Sequence, residues 1–171
     1  MRKVIGAAAI LLGCFWAAWG RVRAKRAQNA LLLSVRDALC ELRRELAERQ
    51  SDMAGIFRKL ADKNRERAAG ALFRRLCMSM DTLGDRSFSE IWRAAVADEL
   101  GDLGAEALET LGALGESLGG SELALQCEAL ERAARETEAL AQQVKEALPE
   151  EKRMSFGLSL AAGALLVIML I

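Results

Sequence analysis

The chain has 171 residues, which is room for one domain of ordinary size, and its charged residues cancel to a formal net charge of zero. It has no His, no Tyr and one Pro, and it is rich in Ala, Leu, Glu and Arg, residues that lose little on entering a helix. This composition favours an all-α fold and excludes the global positive field that attracts proteins to nucleic acid.

Apolar segments lie at both ends of the chain. Residues 4–20 read VIGAAAILLGCFWAAWG and residues 154–171 read MSFGLSLAAGALLVIMLI, and neither segment contains a charge. Helices of this length, rising about 1.5 Å per residue, are just long enough to cross a bilayer core. We therefore predict two transmembrane helices. We assign Val4, Gly13, Trp16 and Trp19 to the first transmembrane helix. We assign Met154, Gly157, Gly163 and Ile171 to the second.

Basic residues flank both predicted spans. They are concentrated between the spans, at 21–26 and 152–153, whereas only Arg2 and Lys3 precede the first one. Since short cytoplasmic segments carry the excess of Lys and Arg, we expect the middle of the chain to be cytoplasmic. Basic residues predominate at 21–49 and acidic ones at 98–151. This pattern fits first and last soluble helices that lie side by side, and it fits two separate solvated faces equally well.

Two other interpretations of the first apolar segment stay open. A basic start, a short apolar core and the small residues Ala18 and Gly20 also describe a secretory signal peptide. In that case the protein is an exported helical binding protein held by its carboxyl-terminal span. Residues 11–14 resemble a bacterial lipoprotein processing box ending at Cys14, although apolar residues rather than a polar tether follow that cysteine.

Between the spans, apolar residues recur at the three- and four-residue spacing of packed helices. We predict a bundle of about five to six helices. The first helix carries the apolar positions Leu32 to Leu46, the second begins at Ser51 and Asp52, and the third begins near Ala68. The fourth begins at a capping box of Ser87 and Glu90, and the fifth contains Gly112 and Gly115. The last begins at Ser121 and turns the positions Leu123 to Leu148 inward. The two glycines of the fifth helix favour the close approach of a neighbouring helix.

The predicted domains are an amino-terminal span with basic flanks at 1–26, a helical soluble domain at 27–149 and a carboxyl-terminal span at 150–171. The long first and last helices can pair antiparallel within one chain, because they leave and enter the same membrane face. A homodimeric coiled coil is the alternative use of such long heptad patterns. Pro149 is expected to stop or kink the last helix.

The usual equipment for catalysis is missing from the sequence. There is no His, no phosphate-binding loop of the G-x-x-x-x-G-K-[ST] type and no G-x-S-x-G elbow. The four cysteines, Cys14, Cys40, Cys77 and Cys127, are far apart, which favours free thiols over a metal site. We predict a protein without enzymatic activity, cofactor or metal. A membrane enzyme with Cys40 or Cys77 as nucleophile is the weaker alternative, since neither has a paired base.

Residues 111–121, LGALGESLGGS, are followed five residues later by Gln126, and near the end Lys152 and Arg153 lead into Phe156, Gly157 and an apolar run. With these motifs the chain resembles the stage III sporulation protein AB family of endospore-forming bacteria over its whole length. One departure is Glu122 after Gly120 and Ser121, where members of that family often carry Ser-Asp after the glycine.

The resemblance implies a cytoplasmic helical domain similar to the membrane platform proteins of type II secretion and type IV pilus systems. It also implies a place in the cell membrane, on the mother-cell side of the forespore boundary, beside other stage III sporulation proteins that include a secretion-type ATPase. We therefore predict an adaptor that docks the ATPase and takes no small-molecule substrate. Assembly into a homo-oligomer is compatible with this role. The residues we predict at its partner interface are Arg43, Arg44, Glu128 and Glu131.

Overall fold

The computed structural model describes the backbone of residues 2–48, 52–80, 85–120 and 122–170, and the side chains of these residues except at 2–12, 14–15, 17–18 and 149–170. This part of the chain is almost entirely helical and contains no strand, which confirms the predicted all-α fold. The elements are α1 (Arg2–Glu48), α2 (Met53–Lys63), α3 (Ala68–Ser79), α4 (Phe88–Glu99), a 3₁₀ turn (Gly101–Leu103), α5 (Ala105–Gly120) and α6 (Leu123–Leu170).

The chain divides into two compact units. The central unit comprises residues 30–141 and holds α2 to α5 complete, together with the adjoining parts of α1 and α6. The terminal unit comprises residues 1–29 and 142–171. Helix α6 continues past Pro149 to Leu170, so this proline does not stop the helix, and the alternative that it kinks the helix stays a prediction. The predicted domain boundaries at residues 27 and 150 stay predictions.

The core of the central unit is built from apolar stripes at helical spacing. On α1, the predicted core positions are all at most 6% exposed: Leu32, Val35, Leu39, Leu42 and Leu46. On α6, Leu130, Ala134, Thr137 and Ala141 are buried as predicted. Leu123 lies on the same face as Leu130 but is 47% exposed. Its predicted inward position is therefore wrong.

Helices α1 and α6 run antiparallel within the central unit. Arg36 pairs with Glu138 at 3.8 Å and Arg43 pairs with Glu131 at 3.3 Å. A step of seven residues forward on α1 thus matches a step of seven residues back on α6, which is the register of two antiparallel helices. The predicted pairing of the two long helices within one chain is present here.

Helices α4 and α5 approach each other at a glycine. A Cβ atom at position 115 would lie 2.7 Å from Cδ1 of Trp92, closer than carbon atoms can approach. Packed against Gly115, the indole of Trp92 is fully buried, and its Nε1 donates a hydrogen bond to the carbonyl oxygen of Leu111 at 2.6 Å. The prediction of a close approach is confirmed for Gly115. It does not hold for Gly112, where a Cβ atom would make ordinary contact with Arg93 at 3.6 Å.

The turn between α2 and α3 is fixed by a buried asparagine. Asn64 is 4% exposed and ends α2, and its Nδ2 donates to the carbonyl oxygen of Leu60 at 3.1 Å. Its own carbonyl oxygen accepts from the backbone N–H of Arg67 at 2.9 Å. A Cβ atom at position 70 would lie 2.0 Å from that same oxygen, so only glycine fits the start of α3. No periodic pattern in the sequence indicates this pair.

The start of α4 is capped as predicted. The backbone N–H of Glu90 donates to Ser87 Oγ at 3.3 Å, and the backbone N–H of Ser87 donates to Glu90 Oε2 at 2.9 Å. The predicted cap of α2 is different, because Asp52 precedes the helix without a side-chain hydrogen bond to it, and Ser51 lies outside the described residues. Helix α2 is instead held by its apolar side, where Ile56, Phe57 and Leu60 are buried.

Among the described residues, no helix has a stretch long and apolar enough to cross a bilayer. Most of the two predicted spans falls on residues whose side chains are not described. Gly13, Trp16 and Trp19 are described, and all three are exposed. The other residues that mark the predicted spans lie outside the described side chains: Val4, Met154, Gly157, Gly163 and Ile171.

We expect Gly115→Ala to destabilise the protein by about 1–3 kcal/mol, because the added methyl group forces Trp92 away from its hydrogen bond. Gly112→Ala, one turn earlier in the same helix, is the matched control. Since its methyl group meets only ordinary contacts, it should be neutral or stabilise by up to about 1 kcal/mol. Urea unfolding followed by circular dichroism measures both. Equal effects of the two substitutions would contradict the close approach at Gly115.

Candidate partner interface

The described residues offer little to a reaction. They contain no group of acidic or thiol side chains that could hold a metal ion. Cys40, Cys77 and Cys127 are free and half-buried. Burial raises the pKa of the Cys77 thiol, which keeps it protonated and weakens it as a nucleophile. The geometry therefore gives no support to the alternative of a membrane enzyme that uses Cys77.

The four residues predicted at the partner interface lie on α1 and α6, and all four are exposed. Arg43 Nη1 donates to Glu131 Oε2 at 3.3 Å, so the structure joins two of them to each other. Glu131 also accepts from Arg135 at 2.9 Å, and Glu128 pairs with Arg132 at 3.6 Å. Their role in binding a partner stays a prediction.

The Arg43–Glu131 pair connects two helices of one chain. Each of the two side chains is 48% exposed, and ion pairs of this kind contribute roughly 0–1 kcal/mol. Reversal of either charge therefore disturbs the α1–α6 contact as well as any partner. Arg44, the next residue, is exposed and makes no ion pair with a described residue. Of the two arginines predicted at the partner interface, Arg44 is therefore the one whose charge is not engaged by a carboxylate of the described residues.

A second polar contact, between α1 and α2, was not predicted. Lys63 Nζ lies 2.8 Å from Glu41 Oε1, and Lys59 Nζ lies 2.5 Å from Glu45 Oε1. Asn64 Nδ2 donates to the second carboxylate oxygen of Glu41 at 3.1 Å. Both the two glutamates and the two lysines are spaced by four residues. This matched spacing is a signal in the sequence, although it does not say which helices meet.

The environment of Glu41 favours its charged form. Burial alone would raise the pKa of this carboxyl group, but the hydrogen bonds from Lys63 and Asn64 outweigh burial and hold the pKa below its ordinary value of 4.5. The carboxylate lies beside the only buried side-chain amide of the central unit's described residues. Glu41 therefore links the long helix α1 to the turn that positions α3.

The glycine-rich motif of residues 111–121 and Gln126 form one structural unit. Leu111 accepts the hydrogen bond of Trp92, and Gly115 leaves room for the indole. A Cβ atom at Gly119 would lie 3.3 Å from Cβ of Phe88, one turn before Trp92. Gln126 Nε2 donates to the carbonyl oxygen of Leu118 at 3.1 Å and so ties α6 to the end of α5. In this motif Leu111, Gly115, Gly119 and Gln126 therefore take part in packing between helices.

A family model described as stage III sporulation protein AB matches residues 3–171. The chain belongs to this family. The match confirms the resemblance that the glycine-rich motif and the closing residues indicated. No curated protein and no solved structure matches the chain.

Membership of the stage III sporulation protein AB family gives the glycine-rich motif its context. The motif connects α4, α5 and α6 of the central unit through Trp92, Gly115 and Gln126. The departure at residues 120–122 falls at the junction of α5 and α6. Ser121 lies outside the described residues, and α6 starts with the backbone N–H of Gln126 donating to the carbonyl oxygen of Glu122 at 3.0 Å.

We expect Glu41→Gln to lower the free energy of unfolding by about 1 kcal/mol at neutral pH. Because the folded-state pKa of Glu41 is lowered, its contribution is complete above 4.5 and is lost as the pH falls through the folded-state value. The stability difference between the wild type and the variant should therefore shrink on acidification. Urea unfolding as a function of pH measures it.

Glu136→Gln is the control for this prediction, since Glu136 is exposed on α6 and makes no ion pair with a described residue. It should leave the free energy of unfolding nearly unchanged at every pH. A constant difference between wild type and Glu41→Gln across the acid range would show that the carboxylate charge of Glu41 does not matter.

Proposed function

We propose that this chain is a non-enzymatic adaptor subunit of a stage III sporulation complex that links mother cell and forespore. It is held at the cell membrane by its two ends and docks a secretion-type ATPase on the cytoplasmic side. The observation that carries the proposal is the family match over residues 3–171. The all-helical central unit, which has no candidate metal site among its described residues, is consistent with a docking protein.

Three features support attachment to the membrane. The uncharged segment 4–20 and residues 154–170 of the second uncharged segment fall in the helical ends of α1 and α6. Basic residues follow the first segment and precede the second. Trp16 and Trp19 are 82% and 59% exposed, and tryptophan is enriched where a protein meets the lipid headgroups. Since α1 is one helix from Arg2 to Glu48, an anchored amino-terminal segment would be continuous with the core helix of the central unit.

We expect the full-length chain to sediment with the membrane fraction, to resist extraction by alkaline carbonate and to dissolve in mild detergent. Alkaline carbonate releases proteins held by charge alone, whereas two apolar helices inserted in the bilayer stay in the membrane. Mass spectrometry of the same material should find residues 1–20 intact. A chain that begins after Gly20 would instead support the exported binding protein. An uncleaved chain in the supernatant would contradict the membrane proposal.

The docking surface for the ATPase is proposed on α1 at Arg44. Arg43 is engaged by Glu131, whereas Arg44 presents a guanidinium group with no ion pair among the described residues. Exposed arginines of this kind match an acidic patch on a partner, which they bind through paired hydrogen bonds to carboxylates. Glu128 and Glu131 are already paired to arginines of the same chain, so they are secondary in this proposal.

We expect Arg44→Glu to reduce co-purification of the cognate secretion-type ATPase about fivefold or more, because a repulsive charge replaces an attractive one. Arg44→Lys should retain most of the binding. Arg86→Glu reverses another exposed arginine at the start of α4 and serves as the control. Wild-type protein that never retains the ATPase in mild detergent, or equal binding by Arg44→Glu, would refute this docking site.

A further inference from the structure

Three arginines lie at the turn between α2 and α3, and one of them, Arg67, is close enough to Glu41 for its charge to help lower the pKa of that carboxyl group. Arg65 and Arg67 lie in the turn, and Arg74 of α3 donates from Nη1 to the carbonyl oxygen of Arg65 at 3.2 Å. All three are exposed, and none makes an ion pair with a described residue. We call these three residues the arginine cluster. Two exposed carboxylates, Asp62 and Glu66, lie in the same stretch, so the cluster is net positive.

Among the basic residues of α2 and α3 outside the cluster, Arg58 also makes no ion pair with a described residue. Other basic side chains of α2 and α3 do have carboxylate partners: Lys59 with Glu45, Lys63 with Glu41, and Arg75 with Asp98 and Glu99. These lysines and Arg75 therefore form ion pairs within the chain, whereas Arg65 and Arg74 form none with a described residue. The positive charges of the cluster repel one another within the single chain. A negatively charged partner would offset this electrostatic repulsion.

The outer face of α5 carries the opposite charge. Glu106, Glu109 and Glu116 are separated by three and seven residues, which places them on one side of the helix. Gly115 is turned to Trp92 of α4, whereas Glu106 and Glu109 are exposed to solvent. Residues 101–122 contain five carboxylates and no basic residue. We call Glu106, Glu109 and Glu116 the acidic face.

The acidic face is only partly neutralised within the chain. Glu116 lies 3.0 Å from Arg93 of α4, whereas Glu106 and Glu109 make no ion pair with a described residue. In the central unit α3 packs against α2 and α4, and α4 packs against α3 and α5. The arginine cluster and the acidic face thus belong to opposite ends of one row of helices. Two such surfaces can meet between two chains.

We propose that the arginine cluster of one copy docks on the acidic face of a second copy of this chain. The contact is head-to-tail, because each copy offers a different surface at its two ends, and it leads to a ring or a filament. Guanidinium groups favour carboxylate partners, and both surfaces occur in equal number in every copy. This proposal does not depend on ATPase docking at Arg44.

The test measures self-association of the full-length chain in a mild, density-matched detergent by analytical ultracentrifugation. Wild-type protein should form oligomers at about 0.05 M salt that dissociate at about 0.5 M salt, since contacts between exposed charges are screened. The cluster variant R65E/R74E and the face variant E106K/E109K should each weaken self-association about tenfold or more.

The decisive measurement mixes the two variants. The cluster variant carries negative charge on both surfaces and the face variant carries positive charge on both, so each can dock only on the other. A one-to-one mixture should therefore recover oligomers that neither variant forms alone. The control pair R44E/R86E and E122K/E136K makes the same changes in net charge at other exposed positions. Each control variant should self-associate like the wild type.

Three results would overturn the proposal. The first is a wild-type chain that stays monomeric at low salt. The second is self-association that neither R65E/R74E nor E106K/E109K weakens, which would indicate contacts through other surfaces such as the terminal helices. The third is a mixture of these two variants that stays dissociated. If Arg44→Glu loses the ATPase but still forms oligomers, the two proposals are separated.

Discussion

The central unit depends on the contact between Trp92 and α5. The indole is fully buried against Gly115, and its N–H can reach the carbonyl oxygen of Leu111 only because position 115 has no side chain. An indole N–H left buried without an acceptor costs about 1–3 kcal/mol, so the bulk and the polarity of Trp92 both require this glycine. The same tryptophan stacks on Phe88, which stacks on Phe57 and through it on Phe73. One close approach thus connects α5 to an aromatic row that reaches α2 and α3.

This arrangement explains how four short helices hold together. Helices of 11 to 16 residues are marginal on their own in water, and their stability in a protein comes from the apolar faces they share. The ion pairs between α1 and α6 contribute little, since Arg43 and Glu131 are each half exposed. Their value lies in register, because the pairs at Arg36 and Arg43 are compatible with only one antiparallel alignment. Apolar packing supplies the stability, and the charges select among alignments.

Helical periodicity was sufficient to predict the all-α fold, the core positions of α1 and the capping box of Ser87 and Glu90, because each depends on residues close in sequence. The sequence also indicated that the two long helices pair and that a helix approaches closely at Gly115, but it did not identify which residues of distant segments contact each other. The pairing of Asn64 with Gly70 depends on a close approach of backbone that no periodic pattern encodes. Arg43 and Glu131 were both predicted at the surface, but not as partners of each other, since composition does not fix the register of two helices. Leu123 follows the heptad spacing yet is exposed, because the spacing identifies the apolar face of a helix but not how much of that face is buried by neighbouring helices.

The uneven distribution of charge gives the two units different physical roles. The central unit has 15 basic and 21 acidic residues, whereas the terminal unit has 9 basic and 3 acidic ones, so the zero net charge of the chain conceals two opposite excesses. Basic residues beside an apolar segment are attracted to anionic lipid headgroups, at roughly 1 kcal/mol each. An acidic domain on the same chain is repelled by that surface. In the proposed topology the terminal unit is therefore drawn to the membrane while the faces of the central unit stay accessible to protein partners.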